Sequence, residues 1–175
     1  MLEAPSPWVV AHASLIKSGG RVLDLACGSG RHAIWLAQHG YQVDALDRDA
    51  LVVAGLYDIS NIHVLIADLE ANDAYAFNHR YDGIIVSRYL YRPLLKTLAT
   101  ILNPNGVFIY ETFMLGNARF GKPSNPDFLL LPDELLEVYS PLLKIAAFEQ
   151  GEVMQPKPAM MQRICAVNTL SIPIT

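Results

Sequence analysis

Apolar positions in this chain fall into short blocks separated by glycine, proline and polar turns. Val22, Leu23, Leu25 and Ala26 form a compact apolar run around one acid, as expected of a strand covered on both faces of a parallel sheet. The run ends in Ala26-Cys27-Gly28-Ser29-Gly30, where the missing Cβ atoms of Gly28 and Gly30 allow close approach to the backbone. Ala33, Ile34, Trp35, Leu36 and Ala37 then bunch on one side of a predicted helix, with Gly40 placed to end it. A second predicted strand, residues 41–46, delivers Asp47 at its tip.

The same alternation continues along the chain. Val9, Val10, Ala13 and Ile16 stand near helical spacing, so residues 7–18 predict a short helix that covers one face of a sheet and stops at Gly19-Gly20. Residues 49–57 read as a helix with Asp49 as its N-cap, and residues 62–67 as a strand ending in Asp68-Leu69. A strand at 81–86 leads into Ser87-Arg88-Tyr89-Leu90-Tyr91-Arg92-Pro93, followed by a helix over 93–101. The turn Asn103-Pro104-Asn105-Gly106 precedes a strand over 107–113. Residues 114–131 carry scattered glycine and proline, and so long an irregular connection from a strand's carboxyl end predicts a lid over a pocket. A helix over 132–139 and two apolar runs, 142–148 and 164–170, complete the pattern, the last two as an antiparallel pair.

Residues 21–47 have the chemistry of a nucleoside site. Amides at a helix start lack internal partners and point above the turn. A carboxylate at the next strand's tip accepts hydrogen bonds from both ribose hydroxyls, and the spacing of Gly28 and Asp47, about 20 residues, places both at one sheet edge. NAD and S-adenosylmethionine (SAM) both fit this geometry, since Gly28-Ser29-Gly30-Arg31-His32-Ala33 satisfies the dinucleotide form G-x-G-x-x-A. Asp24, near the end of the first strand, would repel a pyrophosphate but suits an ammonium and a sulfonium.

With that acid, Asp24-Leu25-Ala26-Cys27-Gly28-Ser29-Gly30 resembles the acid-x-Gly-x-Gly-x-Gly motif of class I SAM-dependent methyltransferases, with Ala26 in place of the first glycine. The resemblance extends over about residues 8–170, and the small size and first motif look like the tellurite-resistance type. It implies a three-layer α/β Rossmann-like fold: a mostly parallel seven-stranded sheet closed by an antiparallel C-terminal pair. It implies SAM as cofactor and S-adenosylhomocysteine as product. On the cofactor side it assigns Asp24 to the methionyl ammonium and the turn of Ala26, Cys27, Gly28 and Gly30 to the methionine moiety. Asp47 goes to the ribose, Asp68 to the adenine amino group, and the Leu69 amide to the ring, with Ser87 beside them. Arg31 would meet the methionyl carboxylate or the acceptor. Arg88, Tyr89 and Glu111 are the candidate catalytic residues, Glu111 as a base, while Tyr91 and Lys122 are candidates for binding the acceptor. A soft or anionic small acceptor, such as a thiol or a tellurite- or selenite-like oxyanion, needs no base. A non-catalytic SAM-binding domain and an NAD-dependent oxidoreductase are the rival readings.

Composition narrows the field. At 175 residues, 52% apolar and 17% charged, the chain reads as one globular domain, residues 1–175. A net charge of −4, with no Lys/Arg run, gives no footprint for nucleic acid. Cys27 and Cys165 belong to no metal-ligand cluster, so no metal site is expected. Neither a signal-like start nor an apolar run of membrane length is present, so a cytoplasmic monomer or homodimer is expected, with no membrane partner.

Overall fold

The computed structural model describes residues 3–71 and 74–169. Seven strands form one sheet: β1 (Arg21–Leu25), β2 (Gln42–Asp47), β3 (Ile62–Ile66), β4 (Tyr81–Ser87), β5 (Leu102–Phe113), β6 (Lys144–Val153) and β7 (Ala159–Val167). Their order is β3-β2-β1-β4-β5-β7-β6, with the first five parallel and β7 antiparallel to both of its neighbours. Chain order reverses between β1 and β4, so the ligand crevice of this sheet lies above their carboxyl ends.

Among the described residues, four α-helices cover the two faces. On one face α1 (Pro7–His12) and α2 (Arg31–Gln38) bury Trp8, Val9, Ala33 and Leu36 against Val22, Ile85 and Ile109. On the other, α3 (Leu95–Thr100) and α4 (Glu134–Tyr139) bury Leu95, Leu98, Leu135 and Tyr139 against Leu23, Ile84 and Phe108. Buried polar tips are satisfied: Trp8 Nε1 donates to the Ile164 carbonyl at 3.3 Å and the Tyr139 hydroxyl to the Leu95 carbonyl at 2.9 Å.

Several local expectations are corrected. The helix expected over 7–18 is one α-helical stretch, capped by the Ser6 side chain, that tightens to a 3₁₀ turn at Ala13–Leu15. No α-helix forms over 49–57. The Asp49 carboxylate does accept from the Leu51 and Val52 amides, but the segment continues only as a 3₁₀ turn at Ala54–Leu56. β-Branched Val52 and Val53 followed by Gly55 are poor material for the next turn. Helix α3 is preceded by a 3₁₀ turn at Arg92–Leu94, and α4 starts later than expected because Asp133 sits at φ 60°. Strand β5 begins at Leu102, pairs there with Tyr81, and resumes pairing at Val107 after the expected turn residues are bulged out. The terminal pair is longer and more tightly joined than expected. Polar residues Glu149, Gln150, Gln162 and Arg163 are in the ladder: Glu149 and Gln150 stand on the exposed edge strand β6, whereas Gln162 is fully buried and hydrogen-bonded to Leu131, Leu135 and Gln150, and Arg163 pairs with Glu111. Leu170, expected in the last strand, lies outside the described residues.

Residues 114–131 are structured. Their base is closed by a parallel bridge between Met114 and Leu130, and Leu115 N–H donates to the Leu130 carbonyl at 2.9 Å. Among the described residues no helix is long and apolar enough to cross a membrane.

Candidate functional site

The turn after β1 folds as its residue types require. Gly28 and Gly30 stand at φ 56° and 79°, in the left-handed region, and Gly30 opens α2. A Cβ on Gly30 would lie 2.6 Å from Leu56 Cδ1, a buried side chain. Gly30→Ala is therefore expected to cost about 2–4 kcal/mol, from the left-handed backbone and the overpacking together, measured by urea unfolding. Ala26, where the resembling motif has glycine, is also left-handed at φ 54°.

Asp47 locks onto this turn. Its Oδ2 accepts from the Gly28 amide at 2.8 Å and its Oδ1 from the Asp49 amide at 3.0 Å. Asp24 is 1% exposed, and its Oδ2 accepts from the Ala33 amide at 2.9 Å, holding the first turn of α2 against β1. Burial pushes its pKa up to about 7, against the lowering pull of that amide and of Arg31. Burial likewise pushes the Cys27 thiol up, and Cys27 borders neither cavity.

Two cavities adjoin at the switch point. The first, of about 410 Å³, is bordered by Ala26, Asp47, Asp68, Leu69, Arg88 and Tyr89, with Pro123 and Phe128 of the 114–131 loop on its far side. Arg48 and Glu70 also border it, and neither stood out in the sequence. Asp68 is exposed there, its Oδ1 taking the Glu70 amide at 2.9 Å, and Leu69 is buried. The strand-tip acids and the turn thus share one crevice, as a nucleoside requires.

The second cavity, of about 630 Å³, has a cationic lining: Arg31, Arg88, Arg119, Lys122, Lys157 and Arg163 border it together with the acid Glu111, while Glu3 and Glu152 pair with its Arg88 and Arg119. Apolar side chains, Phe113, Phe120 and Met161 among them, complete its wall. Arg88 and Phe113 belong to both cavities, so Arg88 stands at their junction. Its backbone is left-handed at φ 57°, an unfavourable state for an arginine, held by the hydrogen bond that its N–H donates to the Glu111 carbonyl at 3.0 Å. Lys122 borders this cavity together with Asn117, Arg119 and Phe120 of the same loop.

Three site expectations change. Glu111, expected as a free base, is 3% exposed and engaged: Oε1 accepts from the Ser87 hydroxyl at 3.1 Å and Oε2 lies 3.2 Å from Arg163 Nε. That last contact is an ion pair of charges without a directed hydrogen bond, since both atoms lack a hydrogen-bond partner. Such an arrangement suits a counterion that sets arginine positions better than a proton acceptor. Ser87 borders neither cavity; it bridges, accepting from Arg31 Nη2 at 3.1 Å and donating to Glu111. Tyr91 also borders neither and packs on the core beside α3. Tyr89 does border the first cavity, its hydroxyl pKa raised by burial and then by Glu70.

Arg163 escaped notice because its meaning is purely one of register: it faces Glu111 across β5 and β7. His32 is an ordinary buried histidine. Its Nε2 accepts from the Ser6 amide at 3.0 Å, and burial pushes its pKa down to about 3.

Known proteins share this architecture. The crystal structure of TehB from Haemophilus influenzae superposes with a TM-score of 0.75 at 23% identity, over 91% of this chain and 61% of that one. The glycopeptide N-methyltransferase MtfA, solved in complex with S-adenosylhomocysteine, superposes with a TM-score of 0.65 at 18% identity, over 91% of this chain and 88% of that one. In sequence, YqeM of Bacillus subtilis (strain 168) is 25% identical over 123 residues, covering 63% of this chain. The chain spans only 50% of the length of YqeM. The family model described as "Tellurite resistance protein TehB" matches residues 6–103, more than half of the chain. With the seven-stranded methyltransferase fold around the Asp24–Gly30 turn, that match places the chain in the TehB family.

Proposed function

We propose that this protein is a SAM-dependent methyltransferase whose acceptor is a small anionic molecule held in the second cavity. The single observation that supports this reading is the pair of adjoining cavities: one carries the acids a nucleoside needs, the other is ringed by six cationic side chains, and Arg88 joins them. The acids of the first cavity fit SAM, Asp47 beside the glycine turn for the ribose and Asp68 for the adenine, and Asp24, buried behind the turn, is assigned to the ammonium. When bound, SAM would supply an electrophilic methyl group, lost to an acceptor lone pair while the carbon–sulfur bonding electrons return to sulfur as the neutral thioether.

The chain's own task is then positioning and exclusion of water, which are worth several kcal/mol. Arg31, Arg88 and Lys122 hold the acceptor's negative charge, and the 114–131 loop, which borders both cavities, closes the site from solvent. An acceptor that is already an anion needs no proton removed, which agrees with a Glu111 tied to Ser87 and Arg163. The ending of the sheet, β5-β7-β6 with antiparallel pairing, leaves no second mononucleotide half for NAD. An acceptor cavity of this size also favours catalysis over mere SAM sensing.

The test is formation of S-adenosylhomocysteine from SAM with matched anionic and neutral acceptors. Anionic members are expected to turn over, and Arg88→Gln is expected to lower kcat/KM about 10- to 100-fold, on the loss of one charged hydrogen-bonded contact. SAM affinity should stay within about twofold. Turnover confined to neutral acceptors, or equal loss of SAM affinity in Arg88→Gln, would contradict the reading.

A further inference from the structure

The chain supplies its own carboxylate to two arginines of the cationic cavity's wall. Arg88 Nη1 and Nη2 donate to Glu3 Oε2 and Oε1, each at 2.9 Å, the two-pronged geometry in which guanidinium and carboxylate match best. Arg31 Nη1 lies 3.5 Å from the same Glu3 Oε2 and also donates to the Ala4 carbonyl at 3.2 Å. Two guanidinium groups from different elements, the start of α2 and the end of β4, therefore converge on one carboxylate. Both belong to the wall of the second cavity, and Ser6 and Pro7 of the same N-terminal segment border it as well. The Arg31 side chain is 11% exposed and held from behind by Ser87, so this arginine is built in place. Glu3, by contrast, has a side chain 45% exposed, so it is the partner that can leave.

We propose that the Arg31–Arg88 pair is the acceptor's carboxylate subsite, and that Glu3 fills it until an acceptor carboxylate displaces it. This rests on the methyltransferase reading and narrows the acceptor to an organic acid. The resident group is itself a carboxylate, and beyond it the cavity has an apolar wall of Phe113, Phe120 and Met161 that an inorganic oxyanion would leave unused. Its volume of about 630 Å³ also lies in the range that holds organic ligands, roughly 300–1,000 Å³. A resident competitor weakens a ligand by the fraction of time that it occupies the site, so removing Glu3 must strengthen acid binding.

The experiment follows the arginine side-chain Nε–Hε resonances of the full chain by NMR while benzoate is added, with benzamide as the neutral control and inorganic phosphate as the other anion. Wild-type, Glu3→Gln and Arg88→Gln proteins are compared, each with and without saturating S-adenosylhomocysteine. Benzoate is expected to shift the Arg31 and Arg88 signals in wild-type protein and to reach half-saturation at about 3- to 10-fold lower concentration in Glu3→Gln, a gain in line with one exposed ion pair. Arg88→Gln should abolish the Arg31 response, benzamide should give none, and phosphate should bind more weakly than benzoate.

Equal half-saturation in wild-type and Glu3→Gln would overturn the proposal, as would no response to benzoate in either. Tighter binding of phosphate would overturn the carboxylate assignment. If S-adenosylhomocysteine alone displaces Glu3 and removes the benzoate response, the subsite belongs to the cofactor's own carboxylate and the acceptor assignment falls. Failure of S-adenosylhomocysteine to bind at all would instead remove the methyltransferase reading, a separate outcome.

Discussion

Asp47→Ala should lower affinity for SAM and S-adenosylhomocysteine about a hundredfold while leaving the protein folded. The carboxylate does two things at once. It accepts the Gly28 amide at 2.8 Å, which fixes the turn, and it presents its remaining lone pairs to the first cavity, where a ribose would sit. Hydrogen bonds to charged groups contribute about 1.5–3 kcal/mol each, so losing a ribose contact and loosening the turn together amount to roughly 3 kcal/mol or more. Asp47→Asn keeps one acceptor and should fall between the two proteins. Calorimetric titration measures all three, and wild-type affinity in Asp47→Ala would remove the nucleoside assignment.

The second large effect is one of pH. Burial raises the Asp24 pKa to about 7 in the folded protein, while the unfolded chain keeps it near the ordinary carboxyl range. Because the folded value is the higher one, the contribution of Asp24 to stability is fully present below about pH 4 and is lost as pH rises through 7. The loss is about 4 kcal/mol from the difference between roughly 4 and 7 at 1.36 kcal/mol per unit. An ammonium brought close to Asp24 needs the ionised form, so cofactor binding must expel a proton below pH 7. SAM affinity is expected to be roughly tenfold weaker at pH 6 than at pH 7.5, with close to one proton released per binding event at the lower pH. Above the ordinary α-amino range, near 8, affinity should fall again as the ligand's own charge is lost. Asp24→Asn keeps an acceptor for the Ala33 amide, so it should stabilise the fold above pH 7 by up to a few kcal/mol while weakening SAM and flattening the profile between pH 6 and 7.5. An unchanged pH profile in that variant would place the ammonium elsewhere.

What the sequence revealed, and what it hid, follows from the range of the interactions involved. The turn of residues 26–30 and its acid partner at 47 are legible because each is dictated locally: glycine for left-handed backbone, an apolar run for a covered strand, an acid at a strand tip. Asp68 and Leu69 follow by the same rule one strand further on. Residues 49–57 misled because Asp49 gives a true capping signal, yet the backbone beyond it is β-branched and contains Gly55. Tyr91 and Tyr89 cannot be separated by spacing alone. Both pack against the core, and of the two only Tyr89 also borders the first cavity. Half of the cationic side chains of the second cavity were hidden for a topological reason. Arg119, Lys157 and Arg163 are far apart in sequence and meet only because β7 enters between β5 and β6. Glu111 looked like a base because a strand-tip acid beside an active site usually has freedom; the register that sets Arg163 opposite it removes that freedom.

The measurement that bears most directly on the central claim is calorimetric titration of the full chain with SAM, S-adenosylhomocysteine and NADH under one set of conditions. One molecule of either sulfur compound per chain, in the micromolar range and without binding of NADH, is the predicted result. Binding of NADH without the other two, or of none of the three, would contradict it.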